Sequence, residues 1–276
     1  MSITAQDVNK LRTMTGAGMM DCKKALTESE GDFEKAIDFL RKKGQKVSAS
    51  RSDKEASEGA VFMKTNAAGD EGIVIALNCE TDFVAKTDDF LKLGNSILAG
   101  AESKKPKTIE ELLAVSAADG RALKDHMTDL IGKIGEKVEI SKYEIIKGEK
   151  VISYVHGSKL GVLVALKGTN GKDVTEIGKD VAMQIAAMKP IAVDKDDIDS
   201  KTVEREIEIG KEQAKAEGKP EAMLEKIAMG KLNKFYKDST LLNQEFVKDN
   251  SKTVRQVLEG VNKGLTVSSF KRISVG

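Results

Sequence analysis

The side chains that most often serve as nucleophile, general base or zinc ligand are scarce in this sequence. Its 276 residues include two histidines, His126 and His156, and two cysteines, Cys22 and Cys79. The cysteines lie far apart, with no CxxC spacing and no His-rich neighbourhood, which argues against a disulfide framework or a zinc site. They read instead as small buried hydrophobes. No GxSxG, HExxH or GxxxxGK[ST] pattern occurs, so acyl transfer, zinc hydrolysis and P-loop chemistry all lack their parts. Glu80, Asp82, Asp88 and Asp89 gather within ten residues. Paired carboxylates can share a proton or hold a divalent cation. In a chain with 44 acidic residues, a solvated strand-to-helix turn explains that cluster more simply. Thr15-Gly-Ala-Gly18 ahead of a helix could offer backbone N–H groups to a phosphate, but an interhelical turn fits it better. The expectation is a binding protein that uses no cofactor or metal and catalyses nothing itself.

Binding then depends on exposed apolar groups. Met19 and Met20 are adjacent, about 100° apart on a helix, and cannot both enter a small core; one of them should be exposed, where a polarizable Met suits a protein contact. The chain contains no Trp, three Tyr and eight Phe, too few aromatics to build stacking platforms for single-stranded nucleic acid. Any exposed Phe is therefore informative. In Asn78-Cys-Glu-Thr-Asp-Phe-Val-Ala-Lys86, Asp82 and Phe83 fall on the turn between a strand and a helix that Thr87 can cap. From local pattern alone, Phe83 is expected to tuck back and anchor that turn. Lys and Arg total 45 against 44 acidic residues, so no net field favours nucleic acid or an anionic membrane. The start, MSITAQDVNKL, lacks the basic and apolar segments of a signal peptide, and no run of roughly 18 apolar residues occurs. A cytoplasmic location is expected, without membrane or direct nucleic-acid contact.

The elements that must hold these residues suggest an α+β chain in several parts. Residues 1–54 read as a three-helix module and linker. Thr4 and Asp7 resemble a cap, Val8, Leu11 and Met14 share a face, and Gly16 and Gly18 break the chain. A second helix carries Met19, Cys22 and Leu26; a third, capped by Asp32, carries Ala36, Ile37 and Leu40 before Gly44. The polar stretch 45–58 has the composition of a linker or solvated helix. An internal repeat follows: Gly72-Ile-Val-Ile-Ala-Leu77 parallels Gly161-Val-Leu-Val-Ala-Leu166. Each copy follows a β-rich segment (Ala60 to Lys64; Val151 to His156) and precedes an amphipathic helix, with Phe90, Leu93, Ile97 and Leu98 in one and Ile177, Val181, Ile185 and Met188 in the other. The first hairpin should turn within Asn66 to Asp70, while the second copy contains the turn signal Thr169-Asn-Gly171.

These patterns place one core subdomain at 55–146 and another at 147–199 with 241–276, on shared or adjacent sheets. Ile109 to Ile134 is mostly helical, and Val138, Ile140, Tyr143 and Ile145 mark an extended segment. Between the parts of the second subdomain, 200–240 reads as an antiparallel helical hairpin broken at Gly218-Lys-Pro220, with Val203, Ile207 and Gly210 facing Met223, Ile227 and Leu232. It could support a homodimer, reach a partner, or do neither. The tail offers a helix with Val254, Val257, Leu258 and Val261, then alternation through Leu265, Val267, Ile273 and Val275.

Leu11-Arg-Thr-Met-Thr-Gly-Ala-Gly-Met-Met-Asp-Cys-Lys-Lys-Ala-Leu26 and Asn78-Cys-Glu-Thr-Asp-Phe-Val-Ala-Lys86 resemble the two signatures of the elongation factor Ts family, and His156-Gly157 with Gly161-Val-Leu-Val164 resembles a third. The similarity spans nearly the whole chain in order. It implies a ubiquitin-associated-like three-helix N-terminal domain, a two-part core and a projecting coiled-coil hairpin. It also implies binding to elongation factor Tu carrying GDP, with GDP release. Thr81, Asp82, Phe83 and Val84 resemble the segment credited with dislodging the partner's magnesium. Arg12, Met19, Met20 and Lys23 match positions that touch its nucleotide domain, and His156 and Val247 match core positions at the interface. Lys248 stands where some relatives carry an apolar residue. Two other classes fit the residues less well: a helical adaptor for a different protein, and an enzyme built on the acidic turn.

Overall fold

The computed structural model describes residues 3–276. Three helices open the chain: α1 (Ala5–Thr15), α2 (Met19–Glu28) and α3 (Phe33–Ser50). Thr4 caps α1 reciprocally with Asp7: the Asp7 N–H donates to the Thr4 hydroxyl at 3.2 Å, and the Thr4 N–H donates to the Asp7 carboxylate at 3.0 Å. Asp32 caps α3 by accepting from the Glu34 and Lys35 N–H groups. Val8, Leu11, Cys22, Ala25, Leu26 and Ala36 form the small core.

Two expectations fail in this module. Met14 and Met19 leave the core and are 56% and 53% exposed, because so small a centre fills with Leu11, Cys22 and Leu26. The third helix does not stop at Gly44 but continues to Ser50, taking in the first residues of the polar stretch. Gly44 serves a close helix crossing instead: a Cβ there would stand 2.8 Å from the Thr128 carbonyl oxygen.

After the loop 51–57 come β1 (Glu58–Thr65), β2 (Glu71–Cys79), α4 (Asp82–Ala85), α5 (Asp88–Lys104), α6 (Ile109–Ala114), α7 (Leu123–Ile134) and β3 (Val138–Lys147). The second half runs β4 (Lys150–His156), β5 (Leu160–Lys167), α8 (Thr175–Met188), α9 (Ser200–Ala216), α10 (Glu221–Ser239), β6 (Glu245–Phe246), β7 (Asp249–Thr253), α11 (Val254–Val261) and β8 (Thr266–Ser274). Two antiparallel sheets result, in the orders β1-β2-β3 and β4-β5-β8, with β6 and β7 paired separately. The repeat extends beyond its sequence motif. The β2/β3 register shifts between Ala76 and Leu77 and the β5/β8 register between Ala165 and Leu166, which are corresponding positions. The connections between these strands differ: one holds α4 to α7, the other α8, the helical hairpin, β6-β7 and α11.

Of the two arrangements expected, the sheets are adjacent and not shared: they stack face to face. Period-2 alternation sends Phe62, Ile73, Ile75 and Leu77 toward α5 and α7, and Ile152, Val162, Val164 and Leu166 toward α8 and α11. The intervening residues Val61, Val74, Ala76, Val151, Leu163 and Ala165 meet between the sheets. Central strands covered on both faces read as continuous apolar runs, which is why the repeated motif is so uniformly hydrophobic. Its glycines mark the tightest approach: a Cβ at Gly72 would fall 2.8 Å from Val151 Cγ1, and one at Gly161 2.7 Å from Val61 Cγ1.

The first hairpin turns at residues 66–70 as expected, with the Asn66 side chain accepting from the Asp70 and Glu71 N–H groups. The second does not turn at Thr169-Asn-Gly171. Residues 157–159 make that turn, while Asn170 and Gly171, both at positive φ, carry the chain from β5 into α8. The Asn-Gly pair supplies left-handed backbone, and a strand-to-helix loop uses that as readily as a hairpin does.

The helical hairpin is present, with α9 packed chiefly on α10. Ala214, Ala228 and Leu232 are buried in it, and the Gly210 backbone closes onto Ala228. Met223, expected in the seam, is 47% exposed. Among the described residues, no helix is long and apolar enough to cross a membrane.

Candidate functional site

Where β2 ends, at the pair Cys79↔Val138, the chain folds into the one-turn helix α4. Thr81 caps it, its hydroxyl accepting from the Val84 N–H at 3.4 Å. Thr87 then caps α5, and its hydroxyl donates to the Val84 carbonyl at 2.8 Å. One helical turn lying on a sheet can bury only the side of it that faces inward. Val84 and Ala85 take that side and join the core of the first sheet. Asp82 and Phe83 are left outward, and Phe83 is 80% exposed. The expectation from local pattern that Phe83 tucks back is thus overturned. Val84 fills the anchoring position one residue later, and the aromatic ring stands in solvent. Leaving a Phe unburied forgoes about 1.5–3 kcal/mol of hydrophobic stabilisation.

The turn is braced. The Glu136 carboxylate accepts from the Thr81 N–H at 3.1 Å and from the Thr81 hydroxyl at 2.9 Å. The Cys79 thiol donates to the Thr81 carbonyl at 3.2 Å, and burial pushes that thiol up to about 12. Asp82 pairs with Lys86 at 2.6 Å, one turn away. The Lys86 ammonium holds the Asp82 carboxyl below its usual range, with a smaller contribution from the positive charge of Lys159.

A second turn is tied to the same end of the first sheet, where Glu58 pairs with Cys79. His156 ends β4, exposed, with its Nδ1 3.1 Å from the Tyr154 hydroxyl. The following turn is fastened to the first sheet by the Val61 N–H, which donates to the Ser158 carbonyl at 2.8 Å, and by the Lys159–Glu58 ion pair at 2.5 Å. The structure therefore brings Thr81 to Val84 and His156 to neighbouring turns at one edge of the stacked sheets. Nothing in the spacing of residues 83 and 156 could have foretold this.

Arg12, Met19, Met20 and Lys23 lie on α1 and α2 and are all exposed, Met20 by 75%. Met14 is exposed with them, though its helical spacing suggested the core. The loop joining these helices rests on α7: a Cβ at Gly16 would lie 3.2 Å from Lys133 Nζ, and Lys133 pairs with Asp89 at 2.5 Å in the first turn of α5. Val247 is elsewhere, 51% exposed between β6 and β7. Its N–H donates to the Gln184 side chain on α8 at 2.8 Å, and neighbouring Lys248 pairs with Asp180 at 2.6 Å.

The acidic cluster does not form a cage. Glu80 pairs with Arg51, Asp82 with Lys86 and Asp89 with Lys133. Among the described residues, no group of three or more His, Cys, Asp or Glu is arranged to hold a metal ion. Glu136 was missed by sequence reading, since it lies 55 residues from Thr81 with no motif to link them.

The family profile described as Elongation factor TS matches residues 80–276. An elongation factor Ts from Cytophaga hutchinsonii is 67% identical over 275 residues, covering 99% of each chain. One from Amoebophilus asiaticus is 55% identical with all of both chains covered, and one from Porphyromonas gingivalis is 50% identical over 100% of this chain and 99% of its own. With end-to-end similarity added to the stacked repeat and the projecting turn, this chain belongs to the elongation factor Ts family.

Proposed function

We propose that the chain is a guanine nucleotide exchange factor that binds elongation factor Tu carrying GDP and promotes GDP release, making and breaking no covalent bond itself. The observation that carries this reading is Phe83, 80% exposed on a turn braced from two sides in a chain with few aromatics. A flexible loop would lose entropy on entering a partner, whereas a braced one spends its contact energy on displacement. Phe83 acts as the wedge. Asp82, with Thr81 and Val84 fixing its position, is the charge that competes for the partner's magnesium. To do so Asp82 exchanges Lys86 for the partner's groups.

The thermodynamics need only reciprocity. A factor that binds nucleotide-free Tu more tightly than GDP-bound Tu weakens GDP by the same ratio. Displacing Mg²⁺ removes much of the charge that holds the diphosphate, and GTP rebinding expels the factor by the same linkage. Arg12, Met19, Met20 and Lys23 form a second contact and Val247 a third, while His156 flanks the wedge itself, so the wedge is applied from an anchored body. The site of action is the cytoplasm, with Tu as the protein partner.

The test is release of a fluorescent GDP analogue from Tu, with Phe83→Ala expected to slow it. The point substitution is sharper than deleting residues 81–84. That deletion also removes Val84 from the core and Thr81 from its contact with Glu136, and so perturbs folding.

A further inference from the structure

The β2/β3 ladder ends at the pair Cys79↔Val138, yet the two strands stay joined beyond it through side chains. The Glu136 carboxylate accepts from the Thr81 N–H at 3.1 Å and from its hydroxyl at 2.9 and 3.1 Å. In return, the Glu80 carboxylate accepts from the Lys137 N–H at 2.7 Å. Each strand thus offers a backbone N–H to a carboxylate of the other, a reciprocal clasp just before the Asp82-Phe83 turn. Charge-assisted bonds of this kind are shorter and stronger than neutral ones.

The clasp has a defined origin on each side. Gly135, at φ 75°, ends α7 in a left-handed cap and turns the chain so that Glu136 reaches Thr81. Glu80 also receives the Arg51 guanidinium at 3.2 Å, and the Lys137 ammonium donates to the Lys54 carbonyl at 3.1 Å. The segment leaving the N-terminal helices is therefore tied to the same clasp. Thr81 is the point where these bonds meet α4: its hydroxyl donates to Glu136 while accepting from the Val84 N–H.

We infer that Glu136 is a positioning residue for nucleotide exchange: by fixing both polar groups of Thr81, it sets the angle at which Phe83 leaves the sheet. Its hydrogen bonds among the described residues all go to Thr81, so it acts on the turn through Thr81. The inference rests on the exchange-factor reading, which gives Phe83 a partner to enter. Without Glu136 the Thr81 N–H and hydroxyl turn to water, α4 frays from its first residue, and Phe83 samples directions that miss the target. The outer contacts on α1, α2 and the β6-β7 turn are untouched, so encounter with Tu is preserved while the release step suffers.

The experiment compares the full-length parent, Glu136→Ala, Glu136→Gln and Phe83→Ala. Hydrogen exchange is followed at residues 81–86, and release of fluorescent GDP from Tu is measured over a range of factor concentrations. Losing a charge-assisted pair should speed amide exchange at Thr81 to Lys86 about tenfold in Glu136→Ala and slow maximal release by a similar factor, with half-saturation moving less than about threefold. Glu136→Gln keeps one oxygen acceptor and should fall between. It also preserves the test if the alanine variant unfolds by circular dichroism. Unchanged amide protection in the folded variants overturns the inference. If Phe83→Ala slows release and neither Glu136 variant does, the positioning role fails and the exchange reading stands. If Phe83→Ala releases GDP at the parent rate, the reading itself falls, and the inference with it.

Discussion

Replacing Phe83 with Ala should separate stability from function more cleanly than any other single change. With the residue 80% exposed, folding buries only about a fifth of the roughly 200 Å² that a phenylalanine offers, or ~1 kcal/mol at ~25 cal/mol/Å². Alanine returns about 0.5 kcal/mol through its better helix propensity, so the net loss of folding stability should be near 0.5 kcal/mol. Burying the other roughly 160 Å² in a partner would be worth up to ~4 kcal/mol by the same coefficient. Part of that gain is lost to ordering and desolvation, which leaves a hot spot of about 2–3 kcal/mol, or roughly a 30- to 150-fold loss. The assay is stopped-flow release of fluorescent GDP from Tu, paired with urea and thermal unfolding of the free chain. Two results would refute the reasoning. Release within about threefold of the parent would remove the wedge, and destabilisation beyond about 2 kcal/mol would mean that Phe83 packs against its own chain.

Four further outcomes follow from the packing. The Glu71 side chain, 6% exposed, receives Lys105 at 2.7 Å and Lys147 at 3.2 Å, and the Lys105 hydrogen bond is the largest influence holding its carboxyl below the usual range. A depressed folded value means that its stabilisation is present above the unfolded value near 4.3 and is lost as pH falls through the folded one. Glu71→Gln should therefore cost about 1–3 kcal/mol at pH 7, with the gap from the parent closing on acidification in urea melts. Gly72→Ala drives a methyl into Val151 and Leu163 between the sheets and should destabilise by about 1–3 kcal/mol. Gly230→Ala, with open space around it on α10, should instead stabilise by about 0.5–1 kcal/mol in the same measurement. Cys79, fully buried with its thiol pushed up to about 12, should react with a thiol reagent at pH 8 only at the rate of local opening, orders of magnitude below a free thiol.

Local rules made several elements legible before any contact was known. The Thr4, Asp32 and Thr87 caps, the Asn66–Asp70 turn and the break at Gly218-Lys-Pro220 each act within four residues, and all occur as expected. Helical spacing was less reliable at the margins. Met14 and Met19 had the right period and the wrong environment, since period reports a shared face without saying whether enough core exists to cover it. Gly44 and Asn170-Gly171 misled for another reason: glycine serves close packing and left-handed backbone alike, and the sequence does not say which.

The sequence by itself determined a mixed α+β chain with a repeated strand motif, a helical hairpin and a short turn carrying Asp82 and Phe83, because periodicity, caps and turn chemistry are local properties. Its resemblance to the elongation factor Ts family supplied a role for that turn. Tertiary structure alone decided that the two copies of the repeat stack face to face on Gly72 and Gly161 and that His156 arrives beside the Asp82-Phe83 turn. It alone decided that Glu136 holds Thr81 from 55 residues away. Phe83 stands in solvent because Val84 fills the inward position and Glu136 fixes the entry of the turn, both consequences of β2 pairing with β3. Such pairings close long loops, and their free energy belongs to the assembled core, where no short window of sequence can report it.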